Sequence, residues 1–166
     1  MRHRTNRKQV GRPNTIAYDS HNDKLNKKML NIPKDKKIIL FDGVCNLCDS
    51  AVQFIIKHDS NDIFRFVAIQ SDLGQEIIKH LGIDTQKTDS IILFEPGLAY
   101  YYKSEAAFEI AKKLGGLFYL TSLFSVVPTS FNNTIYDYIA KNRYKWFGKR
   151  ESCIIPTKEL NAKFLE

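Results

Sequence analysis

The sequence predicts an α/β fold in which helices cover both faces of a small mixed sheet. Short apolar runs typical of buried strands alternate with segments whose apolar residues recur at helical spacing. Two later strand-like runs are separated by Pro96 and Gly97, which predicts a β-hairpin. Strands joined through helices are expected to lie parallel with right-handed crossovers, and the hairpin adds an antiparallel edge. Helices on both faces would bury such a sheet.

The first two strands flank a helix that begins with two cysteines. Residues 36–41 form an apolar run bounded by charge, and residues 63–69 form a second run that begins by alternating. Between them we predict a helix from Cys45 to about His58. Its apolar side chains fall at i, i+3, i+4 and i+7, namely Cys48, Ala51, Val52 and Ile55.

A second helix is predicted to follow the second strand directly. It spans 71–82, with Ser71 or Asp72 as the N-cap and Gly82 at its C-terminal end. The third strand, 90–95, opens the hairpin because it runs straight into the Pro-Gly turn.

The remaining elements are predicted to be one strand and an extra helical segment. Residues 98–103 complete the hairpin, and Ser104 is expected to cap a helix that ends near Leu114. The stretch 114–136 lacks internal charges but contains Gly, Ser, Thr and Pro128, so we expect a helical hairpin that packs on the sheet. Its strongly apolar part is shorter than the roughly 20 residues of a membrane span, which makes membrane contact the less favoured alternative. An amphipathic helix with a basic end should cover 135–150.

The net positive charge of the chain lies in its N-terminal tail. The 166-residue chain has a net charge of +7, and residues 1–37 contain 11 Lys and Arg against 3 acidic residues. We therefore predict a basic, disordered tail over 1–35 and one near-neutral domain over 36–166. Charge without interleaved aromatic residues does not indicate specific nucleic-acid binding. The tail has no apolar stretch typical of a secretory signal, so we expect a cytoplasmic protein.

The two cysteines of the first helix form a Cys-x-x-Cys pair, Cys45 and Cys48, at the end of the first strand. A thiolate at a helix N-terminus is stabilised by unpaired backbone N–H groups and by the helix dipole. Cys45 is expected at that position and Cys48 one turn further in, where it should be shielded. We therefore expect Cys45 to attack a disulfide and Cys48 to resolve the mixed disulfide. Gly43 would permit the tight strand-to-helix turn.

Other interpretations of these residues stay open. Asp42 is a candidate acceptor for the Cys48 proton, or it caps the first helical turn. The cysteines could instead belong to a metal site or to the core. A zinc site would need further ligands, of which Cys153, His58 and His80 are candidates, but their spacing is not that of a zinc ribbon. Cys153 is otherwise a buried small residue or an auxiliary thiol.

Several ordered motifs make residues 37–166 resemble the DCC family of thiol-disulfide oxidoreductases, named for an Asp-Cys-Cys motif. They are "FDGVCNLC", "YYKSEAAFEIAKKLGG" with Ser104 and Ala106 as a Ser-x-Ala pair, Pro128, "YDYIAKNRYKWFG", Cys153 and the late "AKFLE". The resemblance implies a thioredoxin-like fold and a dithiol activity. It also implies that Asp42, Cys45 and Cys48 are the site residues.

The motif "NRYKWFG" adds one further candidate. Arg143 could fix a helix end or pair with an acid near the site, and no catalytic role is assigned to it. Three aromatic residues beside it, Tyr144, Trp146 and Phe147, are expected to lie in the core or to line a groove.

The function predicted from the sequence is exchange of a dithiol and a disulfide with a protein or small-molecule thiol substrate. The catalytic residues would be Cys45, Cys48 and Asp42, with no bound cofactor and no metal. No specific nucleic-acid partner is expected, and membrane contact would involve only 114–136. The alternative is a non-enzymatic binding module in which the cysteines belong to a metal site or to the core.

Overall fold

A computed structural model describes residues 32–84, 91–116, 118, 120, 127–151 and 160–165. Three sequence-based expectations concern residues outside these ranges. They are the disordered state of the tail up to residue 31, the environment of Cys153, and the start of the third strand at Ser90.

The first half of the domain has the predicted order of elements. Strand β1, Lys37–Phe41, leads into helix α1, Asn46–His58, and strand β2, Phe64–Ala68, leads into helix α2, Asp72–Leu81. Ser71 is the N-cap of α2, because its side chain accepts a hydrogen bond from the Gly74 N–H. Gly82 ends that helix in the left-handed conformation.

The sheet is mixed, with strand order β2-β1-β3-β4, where β3 is Ile92–Glu95 and β4 is Ala99–Tyr102. Strands β1 and β2 are parallel, and β3 and β4 form the predicted antiparallel hairpin. Strand β3 runs antiparallel to β1, so the antiparallel part begins one strand earlier than expected. Ten residues separate α2 from β3, and a connection of that length can span about 33 Å. Helix α2 is only about 15 Å long, so the connection is long enough to reach the opposite end of the sheet, where an antiparallel β3 begins.

Two helices of the second half differ from the prediction at their starts. Helix α3, Lys103–Leu114, has Tyr102 at its N-cap, so the predicted cap at Ser104 is wrong. Ser104 is instead buried in the first turn, where its hydroxyl donates to Asn133 Oδ1 at 2.5 Å. Helix α4, Thr129–Phe147, begins six residues before the predicted boundary. Apolar side chains in its first turns, such as Phe131 and Ile135, are exposed, so the apolar spacing there does not show where the helix begins.

Side chains alternate between two cores, one on each face of the sheet. Helix α2 packs on one face against a cluster that includes Ile38 and Leu40. Helices α1 and α3 pack on the other face, on a cluster that includes Ile39 and Phe41. Helix α4 lies against α3 and α1. Helices therefore cover both faces, and the predicted thioredoxin-like α/β fold with an extra C-terminal helical segment is confirmed.

The C-terminal residues return to the edge of the sheet. After a short 3-10 turn over Asn161–Lys163, Leu165 donates its N–H to the carbonyl of Phe66 at 2.9 Å. Phe164 contacts the rings of Phe41 and Phe66. Within the described ranges, no helix combines the length and the apolar character needed to cross a bilayer. Membrane contact through 114–136 stays an expectation, since residues 117, 119 and 121–126 are outside those ranges.

The close approach of α2 to the end of β2 depends on a glycine. A Cβ at Gly74 would overlap the carbonyl oxygen of Ala68, which is backbone and cannot move aside. We expect Gly74→Ala to destabilise the domain by about 2 kcal/mol or more, although alanine favours helices, because α2 must shift. Thermal unfolding measures this, with Lys79→Ala at an exposed position of the same helix as control. An unchanged melting temperature for Gly74→Ala would contradict it.

Candidate active site

The candidate site lies at the C-terminal end of β1, at the centre of the sheet. Asp42 follows the last residue of the strand, and the chain reaches α1 within four residues. Cys45 is the N-cap residue of that helix, and Cys48 lies in its first turn. The sequence-based placement of all three residues is therefore confirmed, whereas their roles remain proposals.

Cys45 caps the helix with its sulfur. Its backbone is extended, and its Sγ accepts a hydrogen bond from the Cys48 N–H at 3.4 Å. Such N–H groups at a helix start have no partner within the helix, and a capping side chain usually supplies an oxygen. Negative charge on the sulfur would be stabilised at this end of the helix. Asp42 does not cap the helix; its backbone carbonyl accepts from the Cys45 N–H at 3.2 Å.

The accessibility of the two sulfurs is the reverse of the expectation. Cys45 is 0% exposed, whereas Cys48 is only partly buried. The last residue of α4 and the three residues after it, 147–150, lie over Cys45, and Lys149 forms an isolated β-bridge with it. We call residues 147–150 the covering segment. Because it is about a hundred residues away in sequence, local pattern could not reveal it.

Among the described residues, four hydrogen bonds join the covering segment to the chain around Cys45, one of them from Arg150 Nη2 to Asp49 Oδ2 at 3.0 Å. The Arg150 N–H donates to the Val44 carbonyl at 2.8 Å. Asn46 Nδ2 donates to the carbonyl of Phe147 at 2.9 Å, and Asn46 Oδ1 accepts from Arg150 Nε at 2.9 Å. Asn46 therefore bridges both ends of the segment.

Cys48 is held in its protonated form. Burial raises the pKa of its thiol, and so do the hydrogen bond and the electrostatic interaction with Cys45. The positive charge of Arg143 acts in the opposite direction but does not offset these effects. Both cysteines are free thiols in this structure. At neutral pH, Cys48 therefore keeps its proton and can donate it toward Cys45.

The Asp42 carboxylate accepts four hydrogen bonds. Oδ1 accepts from Gln70 Nε2 at 2.8 Å and from the Val44 N–H at 3.1 Å. Oδ2 accepts from Arg143 Nη2 at 2.8 Å and from the Tyr144 hydroxyl. Burial acts to raise the pKa of Asp42, but these hydrogen bonds outweigh it and leave the pKa below its usual value. The carboxylate is therefore ionised and saturated with donors.

Arg143 and Tyr144 bring α4 into the site. Arg143 is 4% exposed, and its guanidinium lies over the Tyr144 ring, 4.5 Å from its centre. Burial and the bond to Asp42 raise the pKa of Tyr144 to about 12, so its hydroxyl remains a donor. Tyr144 thus reaches the site, whereas Trp146 and Phe147 are each 48% exposed, so of their two expected positions the core is wrong and the lining of a groove stays a prediction.

Sequence reasoning missed Gln70 and the contact of Tyr144 with the site. A signal for Gln70 was present, because it lies two residues after the end of β2, close to the point where Asp42 follows β1. Parallel strands end at the same edge of a sheet, and Phe41 is in register with Ala68. Gln70 also accepts a hydrogen bond from the Gly43 N–H at 3.1 Å, which fixes the loop before the cysteines.

No group of three His, Cys, Asp or Glu side chains in the described part of the chain is arranged to hold a metal ion. His58 is the last residue of α1, and Cys45 caps the other end of that helix. The 13 residues of the helix rise about 20 Å, which separates His58 from Cys45. His58 contacts Phe54 and Phe118 instead. His58 therefore cannot complete a site with the two cysteines.

A cavity of about 180 Å³ opens beside Cys48. Cys48 lines it together with five apolar residues, which are Leu47, Ile69, Ile91, Ile139 and Ala140. Asp42, Arg143 and Tyr136 complete the lining. We call this space the Cys48 cavity.

Comparisons with known proteins agree with this geometry. The family model described as DCC1-like thiol-disulfide oxidoreductase matches residues 39–149. The chain is 44% identical over 129 residues to the uncharacterized protein YuxK of Bacillus subtilis (strain 168), covering 78% of this chain and 93% of that protein. It is 38% identical over 122 residues to the DCC family protein At1g52590, chloroplastic, of Arabidopsis thaliana, and the match covers 72% of this chain and 70% of that protein. No solved structure gives a significant match.

The buried pair of Asp42 and Arg143 should be sensitive to loss of one charge. Asp42→Asn leaves the guanidinium buried without its counter-charge, so we expect unfolding free energy to fall by about 3 kcal/mol. Urea unfolding at neutral pH measures this. Asp137→Asn is the control, because it breaks the more exposed pair with Lys103 and should cost less than about 1 kcal/mol. Equal losses in the two variants would contradict the prediction.

The contribution of Asp42 should also depend on pH. Its folded pKa lies below the usual value of 3.8, so its stabilising effect is fully present above that pH. The effect is lost as the pH falls through the folded pKa, since both states are then protonated. We expect the difference in unfolding free energy between the natural chain and Asp42→Asn to shrink below about pH 4. Urea titrations at several pH values test this, and a difference that grows in acid would refute it.

Proposed function

The chain belongs to the DCC1-like thiol-disulfide oxidoreductase family, and on that premise we propose that Cys45 and Cys48 exchange a dithiol and a disulfide with a protein or small-molecule substrate. The observation that supports this most directly is the capping of α1 by the Cys45 sulfur, which accepts the Cys48 N–H. A sulfur in that position can carry negative charge, and the thiolate is the form that attacks a disulfide. The neighbouring Cys48 keeps the proton that it must later lose.

The reaction consists of two sulfur transfers. The Cys45 thiolate attacks one sulfur of a substrate disulfide, the S–S bond breaks, and the other substrate sulfur leaves as a thiolate. Cys48 then loses its proton to that leaving thiolate and attacks Cys45, which releases the second substrate sulfur as a thiolate. The pair becomes a disulfide while the substrate disulfide becomes one thiol and one thiolate, which takes a proton from water, so electrons and protons balance without a bound cofactor.

Asp42 serves in this proposal as an orienting residue. Its four hydrogen bonds and its low pKa make it a poor acceptor for the Cys48 proton. It holds the Val44 N–H and therefore the loop that positions Cys45. It also holds Arg143, whose charge opposes the rise in the pKa of Cys48 and so favours loss of the proton when Cys48 resolves the intermediate.

A non-enzymatic binding module is the second candidate, and the complete burial of Cys45 favours it. In that case the cysteines are core residues, and replacing them leaves partner binding intact. The exchange proposal accounts for the burial by requiring the covering segment to separate before a protein substrate meets Cys45. A cytoplasmic location belongs to the proposal, because a reducing compartment keeps both thiols reduced.

Replacing each cysteine separates the two candidates. We expect Cys45→Ser to abolish reduction of a model disulfide and Cys48→Ser to stop at a mixed disulfide on Cys45. The measurement is turnover of a chromogenic disulfide followed by mass analysis of the trapped peptide. Cys153→Ser serves as the control and should keep turnover. Full activity in Cys45→Ser would refute the proposed chemistry.

The covering segment should control the reactivity of Cys45. Asn46→Ala removes two of the four hydrogen bonds that join the segment to the chain around Cys45, so we expect alkylation of Cys45 by iodoacetamide to become about fivefold faster or more. Peptide mass analysis against time measures it. Ser50→Ala is the control, because Ser50 is exposed on the same helix and donates only to the Asn46 carbonyl. A rate unchanged in Asn46→Ala would show that Cys45 is reached by another route.

A further inference from the structure

A dithiol exchanger has two half-reactions, and they need not begin at the same sulfur. The reduced pair gives electrons to one partner, and the oxidised pair must receive electrons from another. Cys45 lies under the covering segment, whereas Cys48 is partly exposed and lines the Cys48 cavity. A partner that enters this cavity meets Cys48 without displacing the covering segment.

The size of the Cys48 cavity limits what can enter it. Its volume of about 180 Å³ is below the roughly 300–1,000 Å³ of pockets that enclose a whole cofactor or drug-sized ligand. An apolar cavity of about 150 Å³ in a protein interior is large enough to bind benzene. The Cys48 cavity is therefore suited to one ring or one branched alkyl group.

The lining of the cavity selects an uncharged group. Leu47, Ile69 and Ile91 contribute side chains that cannot solvate a charge. The two charged residues of the lining, Asp42 and Arg143, are paired with each other at 2.8 Å. A carboxylate that entered would lose its water and would meet the negative charge of Asp42, which costs free energy. An apolar group would gain about 25 cal/mol for each Å² that it buries.

We propose that the oxidised Cys45–Cys48 pair is reduced through the Cys48 cavity by a thiol whose sulfur adjoins an uncharged apolar group about the size of a benzene ring. This inference rests on the proposed exchange function and names the chemical class of the electron donor. The group occupies the cavity and presents its sulfur to Cys48. A free small thiol and a cysteine beside an apolar residue in a peptide share this chemistry.

The reduction uses two molecules of the thiol. The first, as its thiolate, attacks Cys48 Sγ; the disulfide bond breaks, and Cys45 leaves as the thiolate that accepts the Cys48 N–H. A second thiol attacks the donor sulfur of this mixed disulfide, and Cys48 leaves and takes up a proton. Two donor thiols thus become one donor disulfide, and the protein disulfide becomes a dithiol.

The test compares related thiols on the oxidised full chain. Phenylethanethiol and its para-carboxylate analogue share the benzene ring and differ by one charged group, and a Leu-Cys peptide with neutral ends represents the peptide source. Each rate of reduction is divided by the rate for the same oxidised chain unfolded in urea, which removes differences in intrinsic reactivity. Acid quenching and peptide mass analysis then identify the cysteine that carries the mixed disulfide.

We expect the neutral aromatic thiol to be at least about tenfold faster than its carboxylate analogue after this correction, with the mixed disulfide on Cys48. The peptide decides whether the donor can be a polypeptide or only a small molecule. Equal corrected rates, or a mixed disulfide on Cys45, would overturn the inference and leave the exchange function standing. Failure of any oxidant to join Cys45 to Cys48 would overturn both.

Variants in the lining give an independent check. Ala140→Leu fills the cavity and should remove the preference for the neutral thiol, whereas Thr134→Leu, exposed on the same helix, should keep it. Ile139 lines the cavity and is 40% exposed, so Ile139→Lys places a cation there without burying it fully. That variant should shift the preference toward the carboxylate thiol. A preference unchanged in both lining variants would place the binding of the thiol outside the cavity.

Discussion

The buried pair of Asp42 and Arg143 is the contact on which the arrangement of the site depends. It joins the loop at the end of β1 to α4, two parts of the chain 101 residues apart. Both side chains are largely removed from water, and such a pair recovers its desolvation cost only when its remaining hydrogen-bonding capacity is met. Gln70, Val44 and Tyr144 supply donors to the carboxylate. The main effect of the pair is therefore to hold the C-terminal end of α4 beside the loop after β1, and its net contribution to stability is small. The position of that helix end in turn places the covering segment.

Local pattern was sufficient for most elements and for the position of the cysteines. The apolar run of β1 and the spacing from Cys48 to Ile55 each reflect burial of one face, which the sequence records directly. Ser71 and Gly82 mark the ends of α2 because their backbone and side-chain preferences act within one helical turn. The placement of Cys45 at a helix start follows from the same short-range rules.

The wrong predictions concern features that depend on contacts between residues far apart in the sequence. Ser104 has the properties of an N-cap, but a buried hydrogen bond to Asn133 on another helix determines its position. The direction of β3 depends on how far the chain travels after α2, which periodicity does not encode. The burial of Cys45 depends on a segment that meets it only in the folded chain. Gln70 is the exception, because parallel strands end at the same edge of the sheet, so the residues just after β2 are expected near Asp42.

Two properties of the dithiol are set by different parts of the structure and fall on different sulfurs. The capacity to carry charge comes from the start of α1, within three residues of Cys45. Access comes from the packing of α4 and of the covering segment, which hides Cys45 and leaves Cys48 at an apolar cavity. In the reduced pair the sulfur that caps the helix is therefore the covered one. In the proposed reduction of the oxidised pair, attack on Cys48 makes Cys45 the leaving sulfur, and that sulfur leaves at the position where it accepts the Cys48 N–H. When the reduced pair attacks, the sulfur at the helix start is the buried one, so its burial opposes its reactivity. When the oxidised pair is attacked, the accessible sulfur receives the attack and the sulfur at the helix start leaves. The same packing therefore hinders the first half-reaction and favours the second.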